Sequence, residues 1–369
     1  MIFRIALFAA LAGLLFQSTF AAIPTKKGTS SKKSAAKKGV RRVSRVDPTE
    51  GDNVDGDDLV IRRASVQALS GMVGAVVAVD PDNGRVLSIV NQKLAYQPGF
   101  IPCSTVKIVT SLAALNEHVV ERNTYLYLGR YSSFNLTSAL AKSNNPYFAI
   151  LGNRLGFEKV KYYARLLGLG EKAGLDIPGE QAGALPDAAP PGGVGLMCSF
   201  GEGIQLTPLQ LAALMSAIAN GGTLYHLQYP RTQAEIDGYT PRVKRQLDMK
   251  SSINDIKVGM RGAVDFGTAR RAGAGSAESI LGKTGTCTDF RSSNHMGWFG
   301  SFTEVGAHRL VVVVMLVGGH SVNGPVASGV AGSVYRQLSE QNYFASLTPG
   351  KPKSNLPEII TTTPTCCSQ

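Results

Sequence analysis

Apolar positions divide the chain into a part without large hydrophobic side chains and a long part with regular apolar patterning. Residues 23–58 are rich in Lys, Ser and Gly and then in Asp, whereas patterned apolar positions begin near Leu59. A segment that buries so little apolar surface does not offset the entropy of ordering, so the composition predicts a disordered linker over residues 23–58. A folded domain is expected over residues 59–345, followed by a polar, disordered tail over residues 346–369.

The period of the apolar pattern changes along the folded part. A buried strand at Val73–Val79, the turn Asp82-Asn83-Gly84 and a returning strand at residues 85–90 predict a hairpin. Apolar residues at helical spacing then predict a mostly helical middle, over residues 104–118, 136–168 and 207–219. Pro and Gly cluster between residues 178 and 195, which is typical of a surface loop.

Strand patterns return in the last third of the chain. The predicted elements are strands at residues 279–286, 296–303 and 309–317, and then a helix near residues 325–342. Two strands, a helical middle, three strands and a final helix predict an α+β fold. In this fold an antiparallel sheet is covered by helices, the two ends of the chain meet, and the helical middle forms a subdomain.

The N-terminus predicts export of the protein. An apolar run at residues 5–16 and small residues near Ala21 are typical of a secretory signal over residues 1–22. Nine Lys/Arg between Ile23 and Arg45 favour a cytoplasmic flank, so cleavage and retention as an anchor both stay open. Export predicts a protein in the periplasm or on the outer face of the cytoplasmic membrane.

The formal net charge of +12 belongs largely to that basic stretch, so it says little about a catalytic surface. Residues 26–45 are interpreted as a solvated spacer or as a contact for the membrane or an anionic envelope polymer. No nucleic-acid partner is expected after a signal segment. The five histidines lack metal-ligand spacing, and neither a metal nor a cofactor is predicted.

Three short motifs carry candidate chemistry, in the order Ser104-Thr105-Val106-Lys107, Ser143-Asn144-Asn145 and Lys283-Thr284-Gly285-Thr286. Ser104 and Lys107 lie one helical turn apart and therefore project from one face. A buried lysine loses its proton more easily and can then act as general base for the serine hydroxyl. Pro102 indicates a helix that begins at about Cys103 or Ser104, whose N-terminus would favour a developing oxyanion.

Each motif alone is a weak signal. Ser30-x-x-Lys33 and Ser34-x-x-Lys37 match the first motif within the predicted linker, and Ser-x-Asn recurs at Ser133, Ser252, Ser292 and Ser321. The Lys-Thr-Gly triplet occurs once. Order and context give the three motifs their weight, because the first opens an amphipathic helix and the third lies on a predicted core strand.

Together, the three motifs resemble the active site of penicillin-binding proteins and serine β-lactamases. The resemblance extends over about residues 59–342 and includes Tyr96-Gln97-Pro98-Gly99, the run from Ala139 to Phe148, the run from Gly174 to Glu180, Thr207-Pro208-Leu209-Gln210, Ala219-Asn220-Gly221-Gly222, Gly267-Thr268-Ala269 and the run from His295 to Phe299. It is closest to transpeptidase modules of class B penicillin-binding proteins. It therefore implies the fold of that superfamily.

The resemblance also implies a role for each motif residue. Ser104 would be acylated, Lys107 would take its proton, and Ser143 would relay a proton to the leaving amine. Lys283 would set the electrostatics, and Asn145 would hold a peptide carbonyl of the substrate. Thr284 and Thr286 would bind the terminal carboxylate, and Gly285 between them would let the substrate backbone approach closely. The backbone N–H groups of Ser104 and Thr286 would bind the oxyanion.

The substrates implied are peptidoglycan stem peptides that end in D-alanyl-D-alanine, and β-lactams. Cys103 and Cys287 flank two of the motifs, and certain class A carbapenem-hydrolysing β-lactamases have a disulfide at the same offsets. A Cys103–Cys287 disulfide and two separate buried thiols both stay open.

Two rival functions stay open beside the transpeptidase or carboxypeptidase interpretation. A β-lactamase needs efficient deacylation, and the sequence contains no motif that fixes a glutamate for it. A non-catalytic envelope protein would bind peptidoglycan or sense β-lactams by slow acylation. The intact set of motifs favours an enzyme over this second rival.

Overall fold

The computed structural model describes residues 47–130, 132–289, 293–304 and 309–345. The first half of the chain forms α1 (Leu59–Leu69), β1 (Gly74–Val79), β2 (Val86–Val90), α2 (Gln92–Ala95), a 3₁₀ turn (Cys103–Val106), α3 (Lys107–Asn116), β3 (Leu126–Gly129), β4 (Ser132–Phe134), α4 (Leu136–Lys142), α5 (Asn145–Leu155) and α6 (Phe157–Leu166). The second half forms α7 (Gly193–Phe200), α8 (Pro208–Ala219), β5 (Thr223–Tyr225), α9 (Gln233–Asp237), β6 (Val243–Gln246), α10 (Lys250–Asp265), α11 (Arg270–Gly273), β7 (Ile280–Thr288), β8 (His295–Thr303), β9 (Val311–Gly318) and α12 (Gly324–Glu340).

Five of the strands form one antiparallel sheet in the order β2-β1-β9-β8-β7, which confirms the predicted α+β fold. The first and last parts of the chain meet at its centre, where Val77 of β1 pairs with Val313 of β9. Both strands are apolar along almost their whole length because the sheet is covered on both faces. β7 is the last strand at one edge, and the candidate site lies along that edge.

The two faces of the sheet pack against different hydrophobic clusters. Trp298 of β8 belongs to the larger cluster, which contains the helical middle and the 3₁₀ turn. Its neighbour Phe299 belongs to the smaller cluster, which contains α1 and α12. Because successive side chains of a strand point to opposite faces, the Cys287 side chain faces the helical middle, on the face of Trp298.

The predicted boundaries agree with the observed elements to within a few residues for the sheet and for α12. The region 104–118 begins with a 3₁₀ turn before α3, and the predicted loop at 178–195 ends where α7 begins at Gly193. Helices α1 and α10 and the hairpin of β3 and β4 were not predicted.

The predicted linker is wrong for its acidic part, residues 47–58. The Asp52 carboxylate accepts backbone hydrogen bonds from Asn91 and Gln92, at 2.9 and 2.7 Å, and the Asp57 side chain is fully buried. Asp58 caps the N-terminus of α1. The carboxylates of this polar segment accept hydrogen bonds from specific donors, most of them on other elements of the fold. Local sequence does not show which distant donors a carboxylate will meet, so the segment looks solvated.

Several predicted segments lie outside the described residues. They are the signal or anchor at residues 1–22, the basic stretch at residues 23–46 and the tail at residues 346–369. Among the helices of the described residues, none combines the length and the apolarity that crossing a membrane requires.

Candidate active site

Ser104 and Lys107 are placed together by the 3₁₀ turn that precedes α3. The turn brings Ser104 Oγ to 2.9 Å from Lys107 Nζ. Ser104 is half-buried, whereas the Lys107 side chain is completely buried. Cys103, just before the nucleophile candidate, has a positive φ of 51°, which is uncommon for a residue with a side chain. The backbone at this point is therefore held by its surroundings rather than by local preference.

The second motif lies where α4 ends. Ser143 adopts a left-handed conformation with a φ of 57° and so reverses the chain, and the Asn144 side chain then caps α5. This geometry directs both the carbonyl and the hydroxyl of Ser143 towards the Lys107 ammonium. The predicted placement of the Ser143 loop between two helical stretches is confirmed.

Lys107 Nζ lies within hydrogen-bond distance of four oxygens. Besides Ser104 Oγ, these are Ser143 O at 2.8 Å, Ser143 Oγ at 3.0 Å and Asn145 Oδ1 at 2.5 Å. Ser143 O and Asn145 Oδ1 can only accept hydrogen bonds. A neutral lysine has two N–H bonds, which match these two acceptors. Its lone pair is then available to a hydroxyl hydrogen, and Ser104 Oγ is one of the two hydroxyls in reach.

Burial lowers the pKa of Lys107 to about 7. The cause is desolvation, because the charged form loses its hydration and its four acceptors are uncharged oxygens. Near neutral pH a substantial fraction of Lys107 is therefore the free amine. A free amine next to a serine hydroxyl is the arrangement that activates a serine nucleophile.

Lys283 approaches the same place from β7. Its Nζ donates to Ser143 Oγ at 2.9 Å and to Thr284 O at 2.8 Å, and the side chain is completely buried. Burial and the nearby charge of Lys107 hold the pKa of Lys283 well below its usual value. The Ser143 hydroxyl therefore lies between two lysines and is able to transfer a proton from one side to the other.

The two threonines of the third motif have different surroundings. Thr284 is buried, and its hydroxyl shares a hydrogen bond with the Thr268 hydroxyl, with an O···O distance of 2.5 Å. Thr286 is exposed, and its Oγ1 accepts a hydrogen bond from the N–H of Gly324, at 2.8 Å. Because that oxygen is used as an acceptor, the hydrogen of the exposed Thr286 hydroxyl can be donated to a bound ligand.

Gly285 brings β7 against the 3₁₀ turn. A Cβ atom at this position would lie 3.0 Å from the carbonyl oxygen of Pro102 and 3.2 Å from Cβ of Cys103. The absence of a side chain lets the strand and the turn pack directly together. The structure also joins the two elements by a disulfide between Cys103 and Cys287, whose Cα atoms are 5.6 Å apart.

Sequence reasoning gave no role to Thr268. Its backbone N–H donates to Ala141 O of α4 at 3.1 Å while its hydroxyl bonds Thr284, so it connects the second motif with the third. The Gly267-Thr268-Ala269 run was part of the resemblance. The sequence therefore indicated that this run matters, but only the structure shows the hydrogen bond between Thr268 and Thr284 that explains why.

Comparison with known proteins identifies the region that contains this site. The family model of the penicillin binding protein transpeptidase domain matches residues 74–340. Stage V sporulation protein D of Bacillus subtilis is 29% identical over 316 residues, which cover 72% of this chain and 48% of the relative. The peptidoglycan D,D-transpeptidase MrdA of Acinetobacter baumannii is 26% identical over 67% of this chain and 46% of the relative. The chain thus spans about half the length of these relatives.

Solved structures show the same fold. The TP domain of penicillin-binding protein 3 from Burkholderia pseudomallei superposes with a TM-score of 0.68 at 23% identity, over 81% of this chain and 98% of that domain. Pseudomonas aeruginosa PBP2, solved in complex with WCK 5153, superposes with a TM-score of 0.64 at 26% identity, over 81% of this chain and 80% of that one.

Proposed function

The chain belongs to the penicillin binding protein transpeptidase domain family, and we propose that it is a serine acyl-transferase acting on D-alanyl-D-alanine ends of peptidoglycan stem peptides. The observation that carries the proposal is the 2.9 Å contact between Ser104 Oγ and the buried amine of Lys107. The fold supports membership of the superfamily, whereas this contact supports acyl transfer by an activated serine. β-Lactams are expected to acylate the same serine.

Acylation begins with proton transfer from Ser104 to Lys107. The neutral Lys107 takes the hydroxyl proton while Ser104 Oγ attacks the carbonyl carbon between the two D-alanines. The resulting oxyanion is stabilised by the backbone N–H groups of Ser104 and Thr286. The Thr286 hydroxyl donates a hydrogen bond to the terminal carboxylate. Thr284, whose hydroxyl is positioned by its hydrogen bond with Thr268, is the second threonine that binds this carboxylate.

Collapse of the tetrahedral intermediate breaks the C–N bond and needs a proton on the leaving nitrogen. Ser143 supplies it, and Lys107 or Lys283 restores the Ser143 proton, since both Nζ atoms lie within 3.0 Å of Ser143 Oγ. D-Alanine leaves as the free amine, and the acyl group stays on Ser104. Asn145, on the exposed side of the site, holds a carbonyl of the bound peptide.

The acyl-enzyme is then captured by an amine or by water. Capture by an amine of a second stem peptide gives a cross-link, which is D,D-transpeptidation, and capture by water gives carboxypeptidation. Peptidoglycan requires an exported enzyme, so we also propose that the chain acts in the periplasm or on the outer face of the cytoplasmic membrane. The basic stretch at residues 26–45 is proposed to contact the membrane or an anionic envelope polymer.

The test is a time course of fluorescent penicillin labelling on the purified protein, with Ser104→Ala as control. A stable adduct that the variant does not form is the result expected of a transpeptidase or carboxypeptidase. If the wild-type protein shows no adduct, the proposed function is wrong and a binding role takes its place.

The Cys103–Cys287 disulfide favours a second candidate, a β-lactamase, because it is the feature shared with certain β-lactamases. In that case the same time course would show label that forms and is lost rapidly while penicillin is consumed. Persistence of the adduct over many minutes would exclude efficient hydrolysis.

A further inference from the structure

An aromatic ring lies beside the Lys107 amine. The centroid of the Phe148 ring is 5.5 Å from Lys107 Nζ, inside the roughly 6 Å over which an ammonium group and the face of a ring interact. Both side chains are completely buried. The four oxygens around Nζ belong to residues with roles in the proposed reaction, whereas that reaction gives no part to Phe148.

The position of Phe148 follows from the way in which α5 begins. The Asn144 side chain caps the helix by accepting a hydrogen bond from the N–H of Tyr147, at 2.9 Å. Phe148 follows Asn145 by three residues, so the two side chains project from one face of α5. Asn145 Oδ1 contacts Lys107 Nζ, and one turn further along the helix the Phe148 ring covers the same amine. The Tyr147 ring packs edge-on against the Phe148 ring, with centroids 5.5 Å apart.

A ring in this position acts on a lysine in two opposite ways. Its face attracts the ammonium form, which would raise the pKa of the lysine. Its bulk excludes water, which makes the ammonium form costly and lowers the pKa. The pKa of Lys107 is lowered, to about 7, and desolvation is the cause. The exclusion of water therefore outweighs the attraction between the ring and the ammonium.

The charged groups on the surrounding elements leave desolvation as the main influence on Lys107. Lys283 of β7 shares Ser143 Oγ with Lys107, and the two like charges disfavour each other. Burial raises the pKa of the Tyr147 phenol, which is uncharged at neutral pH. The 3₁₀ turn and α7 contain no charged residue, and α6 packs at the far end of α3, where Tyr163 contacts Asn116. On α4, α5 and α10 the charged side chains are exposed or form ion pairs elsewhere: Lys142, Arg154, Lys250, Asp255, Lys257, Arg261 and Asp265.

We propose that Phe148 is a positioning residue for the proposed acylation, on which this inference rests: its ring keeps water away from the Lys107 amine, so that this amine stays able to accept the Ser104 proton. A smaller side chain would leave a space that borders Lys107 Nζ and Asn145 Oδ1. A space with polar groups in its wall takes up water, whereas an apolar one stays dry. Water at this point would stabilise the ammonium form and reduce the fraction of Lys107 that acts as base.

The experiment measures the rate constant for acylation by penicillin between pH 5.5 and 9.5. Entry of water in Phe148→Ala should move the midpoint of the pH profile upwards by about one unit. The neutral fraction of Lys107 at pH 7 then falls from about a half to about a tenth, so the rate falls about fivefold at pH 7 and returns to nearly the wild-type value above pH 9. A merely structural role would not produce a loss that high pH restores.

Two further substitutions separate the exclusion of water from the size and the π face of the ring. Phe148→Leu fills most of the space with apolar atoms and has no π face, so the midpoint should stay at the wild-type value or move below it. Phe148→Gln is close to leucine in size but brings a polar amide to the amine, so the midpoint should rise. This pair tests the inference without a large cavity.

The matched control is Phe302→Ala. Phe302 is also completely buried, and its ring centroid lies 5.4 Å from Nζ of another lysine, Lys257. The substitution opens a similar space away from Lys107 and should leave the midpoint unchanged, and circular dichroism checks that each variant is folded.

Two results would overturn the role of Phe148. One is a rate that Phe148→Ala and Phe148→Gln lower equally at every pH, and the other is a midpoint that moves downwards in all three variants, because the ring would then act through its attraction for the ammonium. A wild-type protein that penicillin does not acylate at any pH would instead contradict the proposed function.

Discussion

Two clusters of charged side chains are buried among the residues that the structure describes, and they differ in how the charge is compensated. At the candidate site, Lys107 and Lys283 are both fully buried, and their described hydrogen-bond partners are uncharged oxygens. In the N-terminal cluster, Arg62 lies between Asp52 and Asp57, with N···O distances of 2.8 and 2.9 Å. The first cluster contains like charges and the second contains opposite charges.

The two ways of compensating charge are expected to have different consequences, one for the reactivity of the site and one for the stability of the fold. Burial without a counter-charge makes the charged form of a lysine costly, and the pKa of Lys107 falls to about 7. Burial with counter-charges keeps Arg62 ionised and ties residues 47–58 to α1 and β2. The lysine cluster should therefore control the rate of acylation, and the arginine cluster should control stability.

Removal of Lys107 should change acylation more strongly than any other single substitution that leaves Ser104 in place. Lys107→Ala deprives Ser104 of its base, so the rate of acylation by penicillin should fall by about a thousandfold. Lys93→Ala, which changes an exposed lysine of α2, should react like the wild type. Stopped-flow or intact-mass kinetics measure both. Unchanged acylation in Lys107→Ala would end the assignment of Lys107 as general base.

The next effect is on stability after removal of Arg62. Arg62→Met leaves two buried carboxylates without their partner, and the free energy of unfolding should fall by about 3 kcal/mol. Burial already raises the pKa of Asp57 to about 6, so this carboxyl can take up a proton in the variant, which limits the loss.

Denaturant unfolding of Arg62→Met is compared with that of Arg63→Met, which changes the exposed neighbour. The acylation rate of both variants should equal that of the wild type while they are folded. A large loss of acylation in folded Arg62→Met would show that the two clusters do not act separately.

The smallest effect concerns Thr268, which connects α4 to Thr284, one of the two residues proposed to bind the terminal carboxylate. Thr268→Val keeps the shape but leaves the Thr284 hydroxyl without its partner, and kcat/KM for peptides should fall about threefold to tenfold. The fall in kcat/KM should come from a higher KM, with kcat nearly unchanged, because the lost hydrogen bond affects binding of the terminal carboxylate. Thr240→Val, on the exposed segment before β6, is the matched control.

The sequence predicts much of the lysine cluster but none of the arginine cluster. Ser104 and Lys107 are three residues apart, and the apolar pattern places Lys283 on a core strand, so local spacing identifies these residues. Arg62 and Asp57 are also close in sequence, but their burial depends on Ser88 and on the β2 backbone at Ile89. Such contacts depend on how distant elements pack, and an acidic, Gly-rich segment looks solvated until that packing is known.

The role of Thr268 could not be predicted for the same reason, because its hydrogen bonds join two elements, α4 and β7, that are distant in sequence. The α+β fold was predictable because five strands and their helices have clear apolar periods. Helix α10 was not predicted, although it packs against α4 and β7 and so helps to hold both motifs in place.

The most direct test of the account is the pH dependence of the rate constant for acylation of Ser104 by penicillin, between pH 5.5 and 9. Acylation requires the neutral amine of Lys107, so the rate should rise about tenfold per pH unit below 7 and level off above it. Arg62→Met should show the same midpoint. A rate that is independent of pH, or one that keeps rising towards the ordinary lysine pKa of about 10.4, would contradict a nucleophile activated by a buried lysine.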